Sequence, residues 1–506
     1  MLDTLQTDTP DAPARLDGQT FDLVVIGAGI AGLNALYAAS DYLEKGARVL
    51  LLDQKQAPGG MWTVAYDYVR LHQPHPMFTV GDIKWDWSKP PEYLAARDEV
   101  QRHLAQCLDP VEAKLRVTRG FGQTVAACRE ELTSNGPRAR VTFHANDDQT
   151  RTVEVTATQV IEAGGYNVPS PEPLGLSSSS VVSIAPTALR ATLAAHPDAP
   201  VYVIGGGKTA MDTVIEVLNA GGAREIGMLV GKGTDFFNRN QNLPTGFQRW
   251  TTGRPTSRIF HEMAWIFNGD NEDEVHAHFQ ATIATDRESK NQQFLFGLLS
   301  EEELARVEAG VSMRRYDYLE DIADTPNGPK MRLRGGETLR IPKGSLIVNC
   351  TGNLFRTSEA PKAQPSLSTH GTILSINLRD SLHFLTSVAG FFMPHLHYRG
   401  LLKDQGFYTI DMEGLFRRDR VAWVAATNTQ AYLTHALAVR TLPLSLLDRC
   451  GLDFDRWFPL PRRMSALLKM KTGAAKDIPH CQRVLNRVGA RFGVHAGPLT
   501  PGDRSG

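Results

Sequence analysis

Cysteine is scarce in this chain of 506 residues: Cys107, Cys128, Cys350, Cys450 and Cys481 make an odd number with no repeated spacing. That excludes a disulfide framework and a Cys-rich zinc site, and the missing C-x-x-C pair excludes a dithiol redox centre. A reducing cytoplasm is the compartment that fits. Long apolar runs are also missing: none approaches the ~20 residues needed to cross a bilayer. The opening MLDTLQTDTPDAPARLDGQ is polar and acidic, unlike a signal peptide. Charge of one sign is not in excess, with 54 Lys and Arg against 55 Asp and Glu, so nothing calls for nucleic acid or another strongly charged partner. The length predicts two to four domains with ample core.

What is present is glycine in two matched places. Residues 201–212 read VYVIGGGKTAMD. A triphosphate loop would need a glycine five residues before Gly207, and that position holds Tyr202. The remaining pattern, Gly205, Gly207 and Ala210 after an apolar run, is the dinucleotide arrangement of tight turn, close backbone approach and helix packing. The same pattern occurs in LVVIGAGIAGL, with Gly27, Gly29 and Gly32, and sliding one copy by 178 residues superposes the two. The first copy continues to VLLLD, whose Asp53 is placed to accept hydrogen bonds from a ribose 2′-hydroxyl. The second has Gly231 at that register and Lys232 beside it. Loss of the carboxylate and gain of a cation favour a 2′-phosphate, so the first unit is read as binding FAD and the second NADPH. Lys232 as a solvated loop lysine is the alternative, and Arg239 is a second candidate cation.

Alternating strand-like and helical stretches predict an α/β fold with two Rossmann-like dinucleotide-binding domains, the NADPH domain inserted into the FAD domain. The expected boundaries are a mobile tail over 1–20, an FAD domain over 21–185 and 346–506, and an NADPH domain over 195–345. The latter includes a helical insertion at about 234–335 with an acidic stretch from Asn268. The apolar runs at Val160–Gly165 and Leu346–Gly352 read as the crossings between domains. VAWVAATNTQAYLTHALAVRTL, from Val421, reads as a buried strand and then a helix. At that junction Asn428, Thr429 and Gln430 could offer amides to flavin oxygens or simply cap the helix. The basic stretch from Arg456 reads as a helix with a wet basic face or a surface for a membrane or partner. GPLTPGDRSG at the end reads as disordered.

Between the two fingerprints stand GGMW (Gly59–Trp62), VRLHQPHPMFTVGD and PPEYLAARDEVQRHLAQC. Their order resembles the class B flavin-dependent monooxygenases, of which the flavin-containing monooxygenases are the nearest members; the likeness covers roughly residues 20–232 and 340–355. The resemblance implies that NADPH reduces FAD and that the enzyme inserts one oxygen atom of O2 into a small molecule through a C4a-(hydro)peroxyflavin. It places Gly60, Met61 and Trp62 against FAD, Gln73 where many relatives carry an asparagine beside the flavin, and Lys208 and Thr209 at the NADPH pyrophosphate. Gly352 falls in the Thr-Gly turn that closes the second unit. His72 and His75 flank Gln73 and could donate protons, given an ordinary pKa near 6.5, or be structural. The interdomain F-x-G-x-x-x-H motif of the class is replaced by VVSIAPTAL, which favours oxygenation of nitrogen or sulfur over Baeyer–Villiger chemistry, with carbon hydroxylation behind.

The polar cluster PHLHYRGLLKDQGFY, with His395, His397, Tyr398, Arg399 and Asp404, is a candidate substrate surface. His395 and His397 would share a face of a strand, yet nothing completes a metal site. No metal is expected; the partners are a small organic molecule and O2, and a homodimer is compatible with the sequence. Two other readings stay open: a flavin-linked NADPH reductase or oxidase without oxygen insertion, and a non-catalytic flavoprotein.

Overall fold

Apolar runs bounded by glycine turns become the strands of two parallel sheets. The computed structural model describes residues 13–165, 171–352, 355, 364–377, 383 and 385–504. The first unit runs β1 (Thr20–Ile26), α1 (Ile30–Ala39), β2 (Arg48–Asp53), α2 (Arg97–Gln106), α3 (Asp109–Glu112), β3 (Arg116–Phe121), β4 (Gln123–Thr133), β5 (Gly136–Ala145) and β6 (Asp148–Glu162). The sheet order is β3-β2-β1-β6-β5-β4. β6 works twice: its first part pairs antiparallel with β5, and its second part pairs parallel with β1, Val24 facing Val160. Val24, Val25, Leu50 and Leu51 are fully buried, as expected of parallel strands covered on both faces.

The second unit contains β7 (Val182–Ile184), α4 (Leu189–Ala195), β8 (Val201–Ile204), α5 (Lys208–Ala220) and β9 (Ile226–Leu229). Next come β10 (Asp235–Asn238), α6 (Arg239–Asn242), α7 (Thr256–Ile266), α8 (Glu272–Thr282), β11 (Phe294–Leu299) and α9 (Glu301–Gly310). The chain then re-enters the sheet at β12 (Met313–Arg315), makes an antiparallel sheet of β13 (Leu319–Thr325), β14 (Gly328–Leu333) and β15 (Thr338–Arg340), and closes with β16 (Leu346–Asn349). The parallel order is β12-β9-β8-β16-β7. Val182–Ile184, assigned by sequence to the first unit, therefore extends the second, because it pairs with the Leu346–Val348 edge.

The 234–335 stretch is not simply helical. β10 and β11 pair in parallel, with Phe237, Phe279 and Phe294 packed between them and α8 at ring separations of 4.8 and 4.4 Å. Ser300 and Glu303 form a reciprocal cap that starts α9 immediately after β11 and divides the acidic stretch.

β17 (Ile373–Ser375) then returns to the first sheet beside β6. It is followed by α10 (Thr386–Tyr398), β18 (Tyr408–Ile410), α11 (Met412–Arg418), α12 (Arg420–Thr441), α13 (Leu444–Leu447), α14 (Leu460–Phe492) and β19 (Ala496–Pro498). Three expectations are corrected here. VAWVAATNTQ is no strand: Asp419 caps it by accepting from the Ala422 amide at 2.8 Å, and its alanines carry one continuous helix, α12. PHLHYRG is the end of α10 and not a strand, so His395 and His397 point to different sides of a helix. The C-terminal stretch is ordered through Arg504: β19 pairs with β18, and the buried Arg504 guanidinium donates to Glu162 at 2.5 Å. Of the expected N-terminal tail, residues 1–12 lie outside the described residues, and Gly18 is already anchored to the Glu154 carbonyl.

Candidate functional site

The first glycine turn is built by exclusion of side chains. Gly27 has φ +110°, and a Cβ there would lie 2.3 Å from the Ala163 carbonyl oxygen, while one on Gly32 would lie 1.8 Å from the Gly27 carbonyl oxygen. The GGMW turn lies directly over this loop. Gly59 N–H donates to the Ala28 carbonyl, and a Cβ on Gly60 (φ +56°) would come within 2.9 Å of Gly29 Cα. Together they floor a cavity of about 670 Å³ lined by Gly27, Gly29, Asp53, Gly60, Met61 and Trp62. Trp62 is buried edge-on against Phe78, whereas Met61 is exposed.

Asp53 is buried at the end of β2, its oxygens accepting from the Ala28 amide at 2.5 Å and the Lys55 amide at 2.7 Å. Burial nevertheless holds its carboxyl above the ordinary range. Two further parts of this site were not read from sequence: Gln123–Val125 at the start of β4, and Leu385–Ser387 at the N-terminus of α10. Gln123 Oε1 is buried there without a hydrogen-bond partner among the described residues. The N-terminus of α10 opens on this cavity, whereas Thr429 and Gln430 do not line it. Those two lie mid-helix in α12, where Thr429 donates to the Ala425 carbonyl and Gln430 to the Tyr408 carbonyl at 2.9 Å each.

The second turn repeats the first. Gly205 has φ +137°, and its Cβ would lie 2.6 Å from the Cys350 carbonyl oxygen, the counterpart of Ala163. A Cβ on Gly207 would meet nothing within 4 Å, so that face is open to a ligand; Gly352, just past β16, is likewise open. Lys208 and Thr209 form the first turn of α5, and the Lys208 ammonium pairs with Asp212 and lies 3.9 Å from Glu303.

Arg239 pairs with Glu303 at 2.8 Å and donates to the His72 carbonyl. Lys232 is exposed in the turn after β9, its carbonyl accepting from Gln292. A cation that sequence did not single out, Arg314 on β12, lines a small cavity beside Gly206, Asp286 and Tyr316, and makes no ion pair among the described residues. The signal for it lay in tertiary pairing, since β12 is brought beside β9 from 86 residues away (Arg314 against Met228).

His72 and Gln73 occupy the loop facing α5, outside the lining of the 670 Å³ cavity. Burial, with the Lys208 charge, pushes the His72 pKa down to about 3, so it is neutral at physiological pH and is no cationic proton donor. His75 packs edge-on against Trp85 and Trp87, which stack on one another, a structural role. His395 bonds Tyr42 at 2.8 Å and His397 bonds Gln159 at 2.9 Å, while Tyr398 stacks on Tyr42, so the expected substrate surface is a packed joint. Among the described residues no group of three His, Cys, Asp or Glu could hold a metal.

By fold, then, this is a protein of two dinucleotide-binding units, one inserted in the other. Residues 21–230, which contain both glycine turns, match the family model of the pyridine nucleotide-disulphide oxidoreductases. An uncharacterized protein of Mycobacterium tuberculosis is 49% identical over 62 residues, 12% of this chain and 11% of that protein, so the match spans about a tenth of that relative's length. Among solved structures, a flavin-containing monooxygenase from Stenotrophomonas maltophilia is 17% identical with a TM-score of 0.44, covering 76% of this chain and 98% of that one. A bacillithiol disulfide reductase from Bacillus cereus is 13% identical with a TM-score of 0.43, covering 76% and 99%.

Proposed function

We propose that the chain is an FAD- and NADPH-dependent monooxygenase that inserts one atom of O2 into nitrogen or sulfur of a small organic molecule. The observation that carries this reading is the GGMW turn lying over the first of two matched glycine turns, Gly60 against Gly29. The residues present fit FAD: the cavity has the size of a cofactor site, its floor is free of Cβ atoms, and Gln123 offers an unpaired oxygen. Bound FAD supplies the electron transfer and oxygen chemistry.

The chain's part is to bind, orient and keep out water. Gly27, Gly29 and the α10 N-terminus receive phosphate or flavin oxygens, Asp53 the ribose, and Trp62, Phe78 and Leu385 exclude solvent. Gly205, Gly207, Lys208 and Thr209 receive the NADPH pyrophosphate, and Arg314 the 2′-phosphate. Neutral His72 stands beside Lys208 and Arg239, and it and its neighbour Gln73 are the hydrogen-bonding groups we assign to the nicotinamide side. All five cysteines are buried, with Cys350 pushed up to about 12 by burial, which counts against a thiol-based reductase. No helix among the described residues is long and apolar enough to cross a membrane.

The test is optical. Flavin bound to the purified protein is reduced anaerobically with NADPH and mixed with oxygenated buffer. Delayed return of oxidised flavin supports oxygen insertion, and addition of an amine or thioether that takes up one oxygen atom should then lower hydrogen peroxide below one equivalent. Immediate return with a full equivalent favours an oxidase, and failure to take up FAD defeats both.

A further inference from the structure

One further cavity adjoins the flavin-type cavity, and a second adjoins that one. An open cleft of about 580 Å³ lies between α7, α12 and α14, and an inner chamber of about 60 Å³ lies behind it. Ser257, Tyr432 and Met470 line both. The inner chamber in turn shares Leu385 with the 670 Å³ cavity, and α10 forms the partition: Thr386 and Ser387 face the large cavity, Val388 and Phe392 the chamber. The three spaces thus stand in a row from surface to candidate flavin site.

The chamber walls are mostly apolar, with one polar corner. Asp455, only 3% exposed, accepts from the Ser257 amide at 3.2 Å and from the Ser257 hydroxyl. No lysine or arginine pairs with it among the described residues. Its neighbour Asp453 takes Arg463 at 3.3 Å, a guanidinium already shared with Asp448 at 2.5 Å. Burial, and then Asp453, push the Asp455 carboxyl up to about 6. Thr256 Oγ1 is buried without a partner on the same wall, and His435, facing from α12, makes no hydrogen bond among the described residues. The His435 charge draws the Asp455 carboxyl down but does not outweigh its burial; a buried carboxylate that no lysine or arginine pairs is costly, and a bound cation offsets that cost.

We propose that this row is the substrate path, and that its occupant is a slender organic ammonium ion anchored on Asp455, with an apolar body along Phe392 and a second, neutral nitrogen or sulfur toward Leu385. A protonated nitrogen has no lone pair to oxygenate, so the anchored end and the reacting end are different atoms. On the monooxygenase reading, on which this inference rests, the neutral heteroatom gains one atom of O2. The other atom leaves as water, and NADPH and a proton supply the two electrons and the hydrogens. The chamber, at about 60 Å³, admits an unbranched chain and no ring, and bulk beyond it occupies the cleft.

The probes are 3-(methylsulfanyl)propylamine and 3-(methylsulfanyl)propan-1-ol, titrated calorimetrically into the FAD-loaded full chain. The amine should bind at least about tenfold more tightly than the alcohol, about 1.4 kcal/mol. Asp455→Asn, which keeps a partner for Ser257, should remove that preference, and Met470→Trp, filling the junction of cleft and chamber, should weaken both probes while FAD uptake persists. Equal binding of the two probes, an amine preference surviving Asp455→Asn, or unchanged binding in Met470→Trp would overturn the proposal. Failure to bind FAD would fall on the monooxygenase reading instead, because the amine preference is measurable on the flavin-free chain as well.

Discussion

The Tyr66 hydroxyl donates to Asp212 across 2.8 Å, joining the loop after the GGMW turn to the helix that follows the second glycine turn. Asp212 also holds the Lys208 ammonium, and next door Tyr68 bonds Thr213 at 2.9 Å. The position of one dinucleotide turn relative to the other is therefore set by tyrosines from a loop.

Tyr66→Phe removes a hydrogen bond to a charged group, worth about 1.5–3 kcal/mol. Flavin content should stay near that of the wild type, while the rate of flavin reduction by NADPH falls about tenfold or more. Stopped-flow reduction at saturating NADPH measures this; an unchanged rate would show that the joint does not position the nicotinamide.

Gly60→Ala places a Cβ 2.9 Å from Gly29 Cα on a residue with φ +56°. The backbone strain costs about 1–3 kcal/mol, and the displaced turn should lose FAD affinity by at least about tenfold. Gly328→Ala is the control, because a Cβ there meets nothing within 4 Å although φ is +101°. Loss of flavin in both variants would mean that strain alone, and not the approach to Gly29, is responsible.

Arg314→Ala should raise the KM for NADPH about tenfold and leave that for NADH nearly unchanged, since a buried-edge guanidinium on a phosphate is a strong contact. Lys232→Ala should have the smaller effect, because its side chain is exposed. Steady-state kinetics with both nucleotides separates the two; the reverse ranking would return the phosphate site to the β9 turn.

Acid should destabilise the protein through histidines buried neutral. Burial lowers His395 from 6.5 to about 4, so the unfolded chain takes up its proton first and stability falls as pH drops from about 6.5 toward 4. Each such group contributes a slope of ~1.4 kcal/mol per pH unit in that window. Asp455, raised to about 6, acts in the opposite direction between about 6 and 3.8. Urea unfolding at several pH values should show a shallower acid limb in His395→Asn; an unchanged limb would assign the slope to other groups.

The parts legible in sequence are those where backbone geometry dictates residue type. Gly27, Gly205 and Gly60 stand where a Cβ would strike backbone, so glycine spacing alone locates both turns and the lid over the first. α12 was illegible for the opposite reason. Residues from Ala422 to Leu433 are buried all round, which removes the helical period and leaves an apolar run that reads as a strand. Arg314 and the chamber corner could not be seen either. Ser257, Phe392, His435 and Asp455 come from four separate segments and meet only through packing of α7, α10 and α12.

β17 reaches the first sheet only after the whole second unit has intervened, and Arg504 seals the end of β6 later still. On a ribosome the two units therefore mature in reverse order. The inserted one, contiguous from β7 to β16, has all its strands while the first still lacks an edge beside Val160 and Ile161. During that interval the nascent chain exposes an unpaired parallel edge, the kind of surface on which chaperones act and aggregates form.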